Sequence, residues 1–250
     1  MIPEFASDHG DMSVEILADP EALADRVADW LLAEATVARG RFAVALSGGS
    51  TPRLLYERLS QPPYFEAFPW SRTHWFWGDE RFVPHEDADS NYRMVHDALI
   101  EHAPIPHANI HAVVTEGTDP EAAANAYERT LKSFYGTDDL DPARPLFDVT
   151  LLGLGSDGHT ASLFPNTDVL EEQGRWVAPV IGAKSKARIT LTYPALESSQ
   201  YVTFLVTGTE KAEILKRFCD GDPVLPASHL RPTGHRRIFA DLAAAAAIAR

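Results

Sequence analysis

The segment from Leu152 to Pro165 carries the residues best suited to acid–base chemistry. It reads Leu-Gly-Leu-Gly-Ser-Asp-Gly-His-Thr-Ala-Ser-Leu-Phe-Pro, so Asp157 and His159 lie two residues apart among glycines. An imidazole titrates near neutral pH, and a histidine with a carboxylate beside it is the usual equipment of a general base. A lone histidine can also serve only local structure. The glycines and Asp157 favour catalysis by His159.

Two other functional motifs can be compared with the sequence, a dinucleotide-binding fingerprint and a serine-nucleophile elbow. Gly153, Gly155 and Gly158 match the spacing of a dinucleotide-binding fingerprint. That fingerprint needs an acidic residue at a strand end about 20 residues further on, and none stands there, so we expect no nucleotide. A serine nucleophile is disfavoured because the chain has no Gly-x-Ser-x-Gly elbow.

The segment Ser47-Gly48-Gly49-Ser50-Thr51-Pro52 lies between a short apolar run and a predicted helix. Its glycines allow a ligand to approach the backbone closely, and its three hydroxyl groups can donate hydrogen bonds. A helix N-terminus also presents free N–H groups and a positive dipole end, which favour an anion. We expect Thr51 to cap the helix and the turn to bind a phosphate, although a capped turn without a ligand is the alternative. No Gly-Lys-Ser/Thr follows, so the turn is not a Walker A loop.

Charged residues follow two further predicted strands. Asp79, Glu80 and Arg81 come after an aromatic run, at the sheet edge where open α/β folds bind ligands. Residue types alone leave open whether this is a binding segment or a solvated loop. Lys184, Lys186 and Arg188 come before one predicted strand, and Lys211 follows another. Of these cations, Arg188 and Lys211 each border a strand and could pair with a phosphate, although single surface cations are also common.

Composition limits the classes of function. The chain has 250 residues, 45% of them hydrophobic and 23% charged, as in ordinary globular proteins. The net charge of −14 disfavours nucleic acid and anionic membranes as partners. Cys219 is the single cysteine, so neither an internal disulfide nor a zinc site with several cysteines can form. His107 and His111 flank a short predicted strand rather than lying on a helix, and we expect no metal site.

No targeting signal is recognisable in the sequence. It has no apolar run of about 18 residues that could span a membrane. The first residues lack the basic and apolar regions of a signal peptide, so we expect a cytoplasmic protein.

The elements that position these residues alternate between strand and helix. Predicted strands cover residues 13–17, 42–46, 74–77, 147–154, 176–181, 188–192, 201–207 and 236–239. Predicted helices cover residues 20–39, 52–59, 90–101, 120–135 and 209–218, with an Ala-rich terminal helix capped by Asp241. Residues 60–72 and 78–90 are predicted to be loops. This order predicts an α/β fold, with residues 1–250 forming a single Rossmann-like domain whose mostly parallel sheet is flanked by helices.

Together, these segments resemble the 6-phosphogluconolactonases, a family related to the glucosamine-6-phosphate isomerases and deaminases. The resemblance covers nearly the whole chain, and its motifs are Leu46–Pro52, Trp77–Pro84, Ser90–Tyr92, Leu152–Pro165, Arg188–Thr192, Pro194–Leu196, Phe204–Gly208, Lys211–Ala212, Leu225–Ser228 and Asp241–Ala244. The deaminase pattern ends its Asp-Gly-His block with Glu-Pro. Phe164-Pro165 stands there in this chain, which favours the lactonase branch. Residues 234–237 depart from the family's more apolar approach to the last strand.

The resemblance implies hydrolysis of 6-phospho-D-glucono-1,5-lactone to 6-phospho-D-gluconate, in the pentose phosphate pathway, without a metal or other cofactor. It implies that His159 activates water, that Asp157 orients His159, and that Arg81 contacts the reacting end of the substrate. The residues implied to bind the substrate and its phosphate are Ser47, Gly48, Gly49, Ser50, Thr51, Asp79, Arg188 and Lys211. The expected partner is a small sugar-phosphate lactone, and the expected state is a monomer or a small homo-oligomer. An aminosugar-phosphate deaminase and a non-catalytic sugar-phosphate sensor are the rival interpretations.

Overall fold

The computed structural model describes residues 5–6 and 12–248. Its strands are β1 Phe5–Ala6, β2 Met12–Leu17, β3 Phe42–Leu46, β4 Thr73–Trp77, β5 Asp79–Arg81, β6 Ile110–His111, β7 Phe147–Leu152, β8 Val177–Val180, β9 Arg188–Leu191, β10 Ser199–Val206 and β11 His235–Asp241. Its helices are α1 Pro20–Val37, α2 Ser50–Leu59, α3 Tyr64–Ala67, α4 Asn91–Val95, α5 Pro120–Tyr135, α6 Tyr193–Glu197 and α7 Ala212–Cys219. A π-helical turn, His96–Ile100, extends α4, and short 3₁₀ turns include Thr209–Lys211 and Pro226–His229.

Within the described residues, the main sheet has eight strands in the order β1-β2-β11-β10-β7-β3-β4-β6. All neighbouring strands are parallel except β1 and β2, which are antiparallel. The five residues of β3 are all buried, as expected for a strand with both faces covered. The predicted α/β class and mostly parallel sheet with flanking helices are therefore confirmed.

Helix α1 illustrates how the sequence builds the layers around this sheet. Asp19 is its N-cap, and the Asp19 carboxylate accepts a 2.7 Å hydrogen bond from the N–H of Ala22. Leu23, Val27 and Leu31 are fully buried at helical spacing. Burying a side chain of this size stabilises the fold by about 1.5–3 kcal/mol.

Among the described residues, none of the helices has the length and apolar character needed to span a membrane.

The sequence pattern does not predict a second sheet. Strands β5, β9 and β8 form a three-stranded antiparallel sheet. The prediction that residues 78–90 are a loop is therefore wrong for Asp79–Arg81. Gly78 joins the two sheets, because its N–H donates to Leu46 (2.8 Å) and its carbonyl accepts from Leu191 (2.9 Å). The predicted loop 60–72 likewise contains α3 and a 3₁₀ turn at Trp70–Arg72.

The structure differs from two helix predictions, the start of α2 and the terminal helix. Helix α2 begins at Ser50 with Gly49 as its N-cap, so Thr51 lies inside the first turn and is not the cap. The φ angle of Gly49 is +108°, a conformation that a residue with a side chain avoids. The predicted Ala-rich terminal helix is also wrong, because residues 242–248 form turns. The Asp241 carboxylate does accept from the N–H of Ala244 (2.7 Å), but it also accepts from Gly208 (3.1 Å).

Candidate active site

A cavity of about 400 Å³ opens at the carboxyl ends of the central parallel strands, where α/β folds bind ligands. Its walls come from the ends of β3, β7 and β10, from the segments that follow them, and from the small sheet. The lining residues are Ser47–Pro52, Asp79, Arg81, Asn91, Gly153–Gly155, His159, Ala161, Ser162, Phe164, Lys184, Arg188, Leu205–Thr207 and Lys211. The structure therefore brings together every predicted site residue. Asp157 does not line the cavity itself but contacts His159, which does.

The segment after β7 folds into a tight turn that presents Asp157 to His159. The N–H of Gly158 donates to Gly155 (2.9 Å), and the N–H of Gly155 donates to the carbonyl of His159 (2.8 Å). Oδ1 of Asp157 accepts from the backbone N–H of His159 (3.1 Å) and is hydrogen bonded to the ring Nδ1. Thr160 fixes the far side of the turn, because its hydroxyl donates to the carbonyl of Gly153 (2.9 Å).

The Asp157 carboxylate determines which ring nitrogen of His159 is basic. Burial raises the pKa of Asp157, but hydrogen bonds from the ring and backbone of His159 outweigh it, and the pKa lies below its ordinary value. Asp157 is therefore ionised at neutral pH and can only accept hydrogen bonds. The neutral imidazole then carries its hydrogen on Nδ1, and the lone pair is on Nε2.

At two positions of this turn, neighbouring side chains leave no room for a Cβ, so only glycine fits. A Cβ on Gly155 would overlap the ring of His159, and a Cβ on Gly158 would meet the side chain of Leu225. Gly158 also has a φ angle of +79°. A Cβ on Gly153, by contrast, would have no neighbour within 4 Å. The close approach at Gly155 therefore defines the position of the imidazole.

The Ser47–Thr51 turn is held from several sides. A Cβ on Gly48 would overlap the side chain of Asn91, so the turn and helix α4 are in close contact. The hydroxyl groups of Thr51 and Thr207 are 2.6 Å apart, which ties the first turn of α2 to the end of β10. The ten-residue helix α2 thus begins at the cavity, and its free N–H groups favour an anion there.

Two buried tyrosines fix the ends of the strands that precede the site. The hydroxyl of Tyr56 accepts from the N–H of Ser47 (3.0 Å) and donates to its carbonyl (2.9 Å). The hydroxyl of Tyr127 makes the same pair of bonds to Trp77, at 2.7 and 3.0 Å. Each pair satisfies backbone groups where strand pairing ends, so each strand end has a defined direction.

Asp79 is a buried carboxylate in the cavity wall. Its Oδ2 accepts a 2.7 Å hydrogen bond from the hydroxyl of Ser162, which lies in the His159 segment. Its backbone carbonyl accepts from the side-chain amide of Asn91 at 2.9 Å. These contacts exclude the alternative of a solvated loop for this part of the charged segment.

The neighbouring Glu80 does not line the cavity, and its buried carboxylate lies at the start of α4. Its carboxylate accepts 2.7 Å hydrogen bonds from the N–H groups of Arg81, Asn91 and Tyr92. Burial raises the pKa of Glu80, and these three hydrogen bonds offset only part of that rise. Glu80 therefore fixes the start of α4, which in turn carries Asn91 into the wall of the site.

Three predicted cations line the cavity. Arg81 and Arg188 are paired across strands β5 and β9. Arg81 donates to the carbonyl of Asp89 (2.6 Å), and Arg188 donates to the carbonyl of Lys186 (3.2 Å). Burial and the positive charge of Arg81 lower the pKa of Arg188. Lys211 donates to a backbone carbonyl that precedes the His159 turn, that of Leu154, at 2.8 Å.

Four polar lining residues are absent from the set predicted to act on the substrate. Asn91 and Ser162 lie inside two of the sequence motifs, and Thr207 is the last residue of a predicted strand. These positions could have indicated that the three residues lie at the site. Lys184 lies in the connection between β8 and β9. The sequence groups Lys184 with Arg188 among the cations before β9, but it singles out only Arg188 for phosphate binding.

The expectation that His107 and His111 form no metal site stays a prediction. His111 instead contacts another histidine, since its Nε2 is 3.0 Å from Nδ1 of His74. Among the described residues, one group of three potential metal ligands lies close together, formed by His96, Asp97 and Glu101. None of these three side chains lines the cavity.

Comparison with known proteins places the chain in a family. The family described as glucosamine-6-phosphate isomerases/6-phosphogluconolactonase matches residues 18–239. The chain is 39% identical to a 6-phosphogluconolactonase of Nostoc, over 94% of this chain and 97% of the relative. It is 40% identical to a 6-phosphogluconolactonase of Synechocystis, over 88% of this chain and 92% of the relative.

A solved structure agrees with these sequence relatives. A 6-phosphogluconolactonase from Thermotoga maritima superimposes with a TM-score of 0.78 at 32% identity, covering 92% of this chain and 99% of that one. Fold and site define an α/β protein whose cavity, at the carboxyl edge of its sheet, brings a helix N-terminus and several cations together with His159. The chain belongs to the glucosamine-6-phosphate isomerase/6-phosphogluconolactonase family.

Proposed function

We propose that this protein hydrolyses 6-phospho-D-glucono-1,5-lactone to 6-phospho-D-gluconate, with His159 as the general base. The observation that carries the proposal is that His159, hydrogen bonded to Asp157, lines the same cavity as the turn at the N-terminus of α2. The full-length relatives named 6-phosphogluconolactonase support the choice of substrate.

The chemistry requires a base at one end of the cavity. Nε2 of His159 takes a proton from water as the water oxygen attacks C1 of the lactone, and Asp157 stabilises the imidazolium that forms. A positioned general base contributes about 10²–10⁴-fold to the rate. The C1–O5 bond then breaks, and the proton returns to the O5 oxygen, so no redox step is involved. We propose that this hydrolysis needs no metal.

We assign the phosphate of the substrate to a second group of lining residues. In our proposal the Gly48–Thr51 turn, Arg188 and Lys211 bind it, which anchors the sugar with C1 near His159. Ser47 and Asp79 are assigned to substrate binding, and Arg81 to a contact near the reacting end. The Gly49–Thr51 backbone at the start of α2 and the two charged side chains together complement a dianion.

The related deaminase reaction is not our proposal. The resemblance places a glutamate of that pattern where this chain has Phe164, whose ring lies 4.6 Å from the ring of His159. We expect no ammonia release from glucosamine 6-phosphate.

We also propose that residues 1–250 form one domain that works in the cytoplasm as a monomer or small homo-oligomer.

The proposal is tested by acid release from freshly prepared 6-phosphoglucono-δ-lactone at constant pH. The lactone opens spontaneously, so the uncatalysed rate is the essential control. We expect the protein to accelerate hydrolysis well above that rate. Folded protein that binds 6-phosphogluconate without accelerating hydrolysis would instead support the sensor interpretation.

A further inference from the structure

The connection between β8 and β9, residues 181–187, carries a lysine to the His159 end of the cavity. Nζ of Lys184 lies 3.8 Å from Oδ2 of Asp157. It also lies 4.8 Å from the centre of the Phe164 ring, which packs against His159 at 4.6 Å. These contacts place the ammonium group beside two residues that contact the proposed base, Asp157 and Phe164.

The Lys184 ammonium is held more loosely than the other cations of the site. Its distance to Asp157 exceeds that of a hydrogen bond, and 44% of its side chain is exposed. Arg81, Arg188 and Lys211 each already donate a hydrogen bond to a backbone carbonyl. The three N–H bonds of Lys184 are therefore the most available to a ligand in the cavity.

Lactone hydrolysis creates a negative charge at C1, which the proposed function places near His159. The lactone is neutral at C1, but addition of the water oxygen makes an oxyanion, and cleavage of the C1–O5 bond leaves a carboxylic acid that loses its proton to solvent. A cation placed where charge develops stabilises the transition state more than the ground state.

We propose that Lys184 contacts the C1 end of the substrate, stabilising the oxyanion and then binding the carboxylate of the product. This inference rests on the proposed lactonase function.

The neighbouring lysine of the same loop provides a matched control. Nζ of Lys186 lies 2.7 Å from Asp89 and 3.5 Å from Asp87, and its side chain does not line the cavity. Lys184→Gln and Lys186→Gln therefore remove the same charge from one loop, but only the first removes it from the site.

The test compares two ligands in calorimetry, 6-phosphogluconate and glucitol 6-phosphate. They share the phosphate and the carbon chain, and only the first has a carboxylate at C1. We expect Lys184→Gln to weaken 6-phosphogluconate binding about tenfold, the size of one partly exposed charged hydrogen bond, and to leave glucitol 6-phosphate unchanged. Lys184→Arg should restore most of the loss, and Lys186→Gln should bind both ligands like the wild type.

Lactone kinetics separate this inference from the proposed function. We expect Lys184→Gln to lower kcat more than it raises KM. If both ligands bind equally well to the wild type and Lys184→Gln, or if both weaken equally, Lys184 does not contact C1 and acts only through Asp157 or the loop. If the wild type fails to accelerate lactone hydrolysis, the proposed function fails, whatever the binding data show.

Discussion

Arg81 and Arg188 lie directly opposite each other on the antiparallel strands β5 and β9, so their side chains share one face of the small sheet. Like charges in this arrangement destabilise a sheet. Burial and the charge of Arg81 lower the pKa of Arg188, as expected for a cation held near another cation. A bound anion relieves this repulsion, so the pair is better suited to a liganded than to an empty site.

We therefore expect Arg188→Ala mainly to weaken ligand binding. Loss of one charge-assisted contact of about 1.5–3 kcal/mol raises the Kd for 6-phosphogluconate roughly 10–100-fold. Calorimetry measures the affinity, and the increase in Tm caused by the ligand should shrink in parallel. Arg175→Ala is the control, because Arg175 pairs with Glu121 and lies outside the cavity. Wild-type affinity in Arg188→Ala would contradict the phosphate assignment.

Asp157→Asn should reduce stability in a pH-dependent way. The folded protein lowers the pKa of Asp157 below the ordinary value of 3.8, mainly because hydrogen bonds from His159 outweigh the burial cost. The ionised carboxylate thus stabilises the fold above about pH 4 and loses that contribution as the pH falls through the lowered pKa. Urea unfolding should show wild type and variant differing most near pH 7 and converging below pH 4. A difference that stays constant down to pH 2 would contradict the hydrogen-bonded, ionised state of Asp157.

Gly155→Ala should impair catalysis through the position of the imidazole. The new methyl group would overlap the ring of His159, so the ring must move. Gly174→Ala is the control, because Gly174 lies outside the cavity and its methyl group would make only an ordinary 3.6 Å contact with Glu172. We expect kcat to fall at least tenfold in Gly155→Ala, as displacing a positioned base does, and to stay near wild type in Gly174→Ala. Equal kcat values in the two variants would show that the contact does not position His159.

Tyr56→Phe should alter the phosphate turn. It removes both hydrogen bonds to the backbone of Ser47, and the unsatisfied buried groups cost about 1–3 kcal/mol of stability. Tyr135→Phe is the matched control, since that hydroxyl accepts from Asp141 (2.9 Å) and donates to Arg144 (2.6 Å), outside the cavity.

Steady-state kinetics distinguish these two tyrosines. Both variants should lower the urea midpoint, but only Tyr56→Phe should raise KM for the lactone, because only Tyr56 holds the turn assigned to the phosphate. A KM that rises equally in both variants would reduce the role of Tyr56 to general stability.

The sequence predicted local elements better than their assembly. The span Phe42–Leu46 is predicted and found as one strand because the polar residues Arg41 and Ser47 bound its apolar run on either side. The start of α5 after Asp119 follows from its capping carboxylate, which accepts from Ala122 at 2.8 Å. Strand β5 has three charged residues and pairs with a strand more than 100 residues away, so no local pattern indicates it.

The same distinction applies to the site. Asp157 and His159 are close in sequence, so their spacing already predicts contact. Asp79 and Ser162 meet across 83 residues, and Lys184 reaches Asp157 from a different strand connection. These contacts depend on tertiary pairing. The Ala-rich tail forms turns even though Asp241 accepts from Ala244 as an N-cap would, so a capping residue and helix propensity did not suffice to predict it.

The central claim, that His159 is the base for lactone hydrolysis, is tested most directly with His159→Gln. Acid release from 6-phosphoglucono-δ-lactone is measured at constant pH for wild type and variant against the spontaneous rate, with 6-phosphogluconate affinity measured alongside. We expect kcat to fall about 10²–10⁴-fold while ligand affinity stays close to wild type. A His159→Gln protein that hydrolyses the lactone at the wild-type rate would contradict the account.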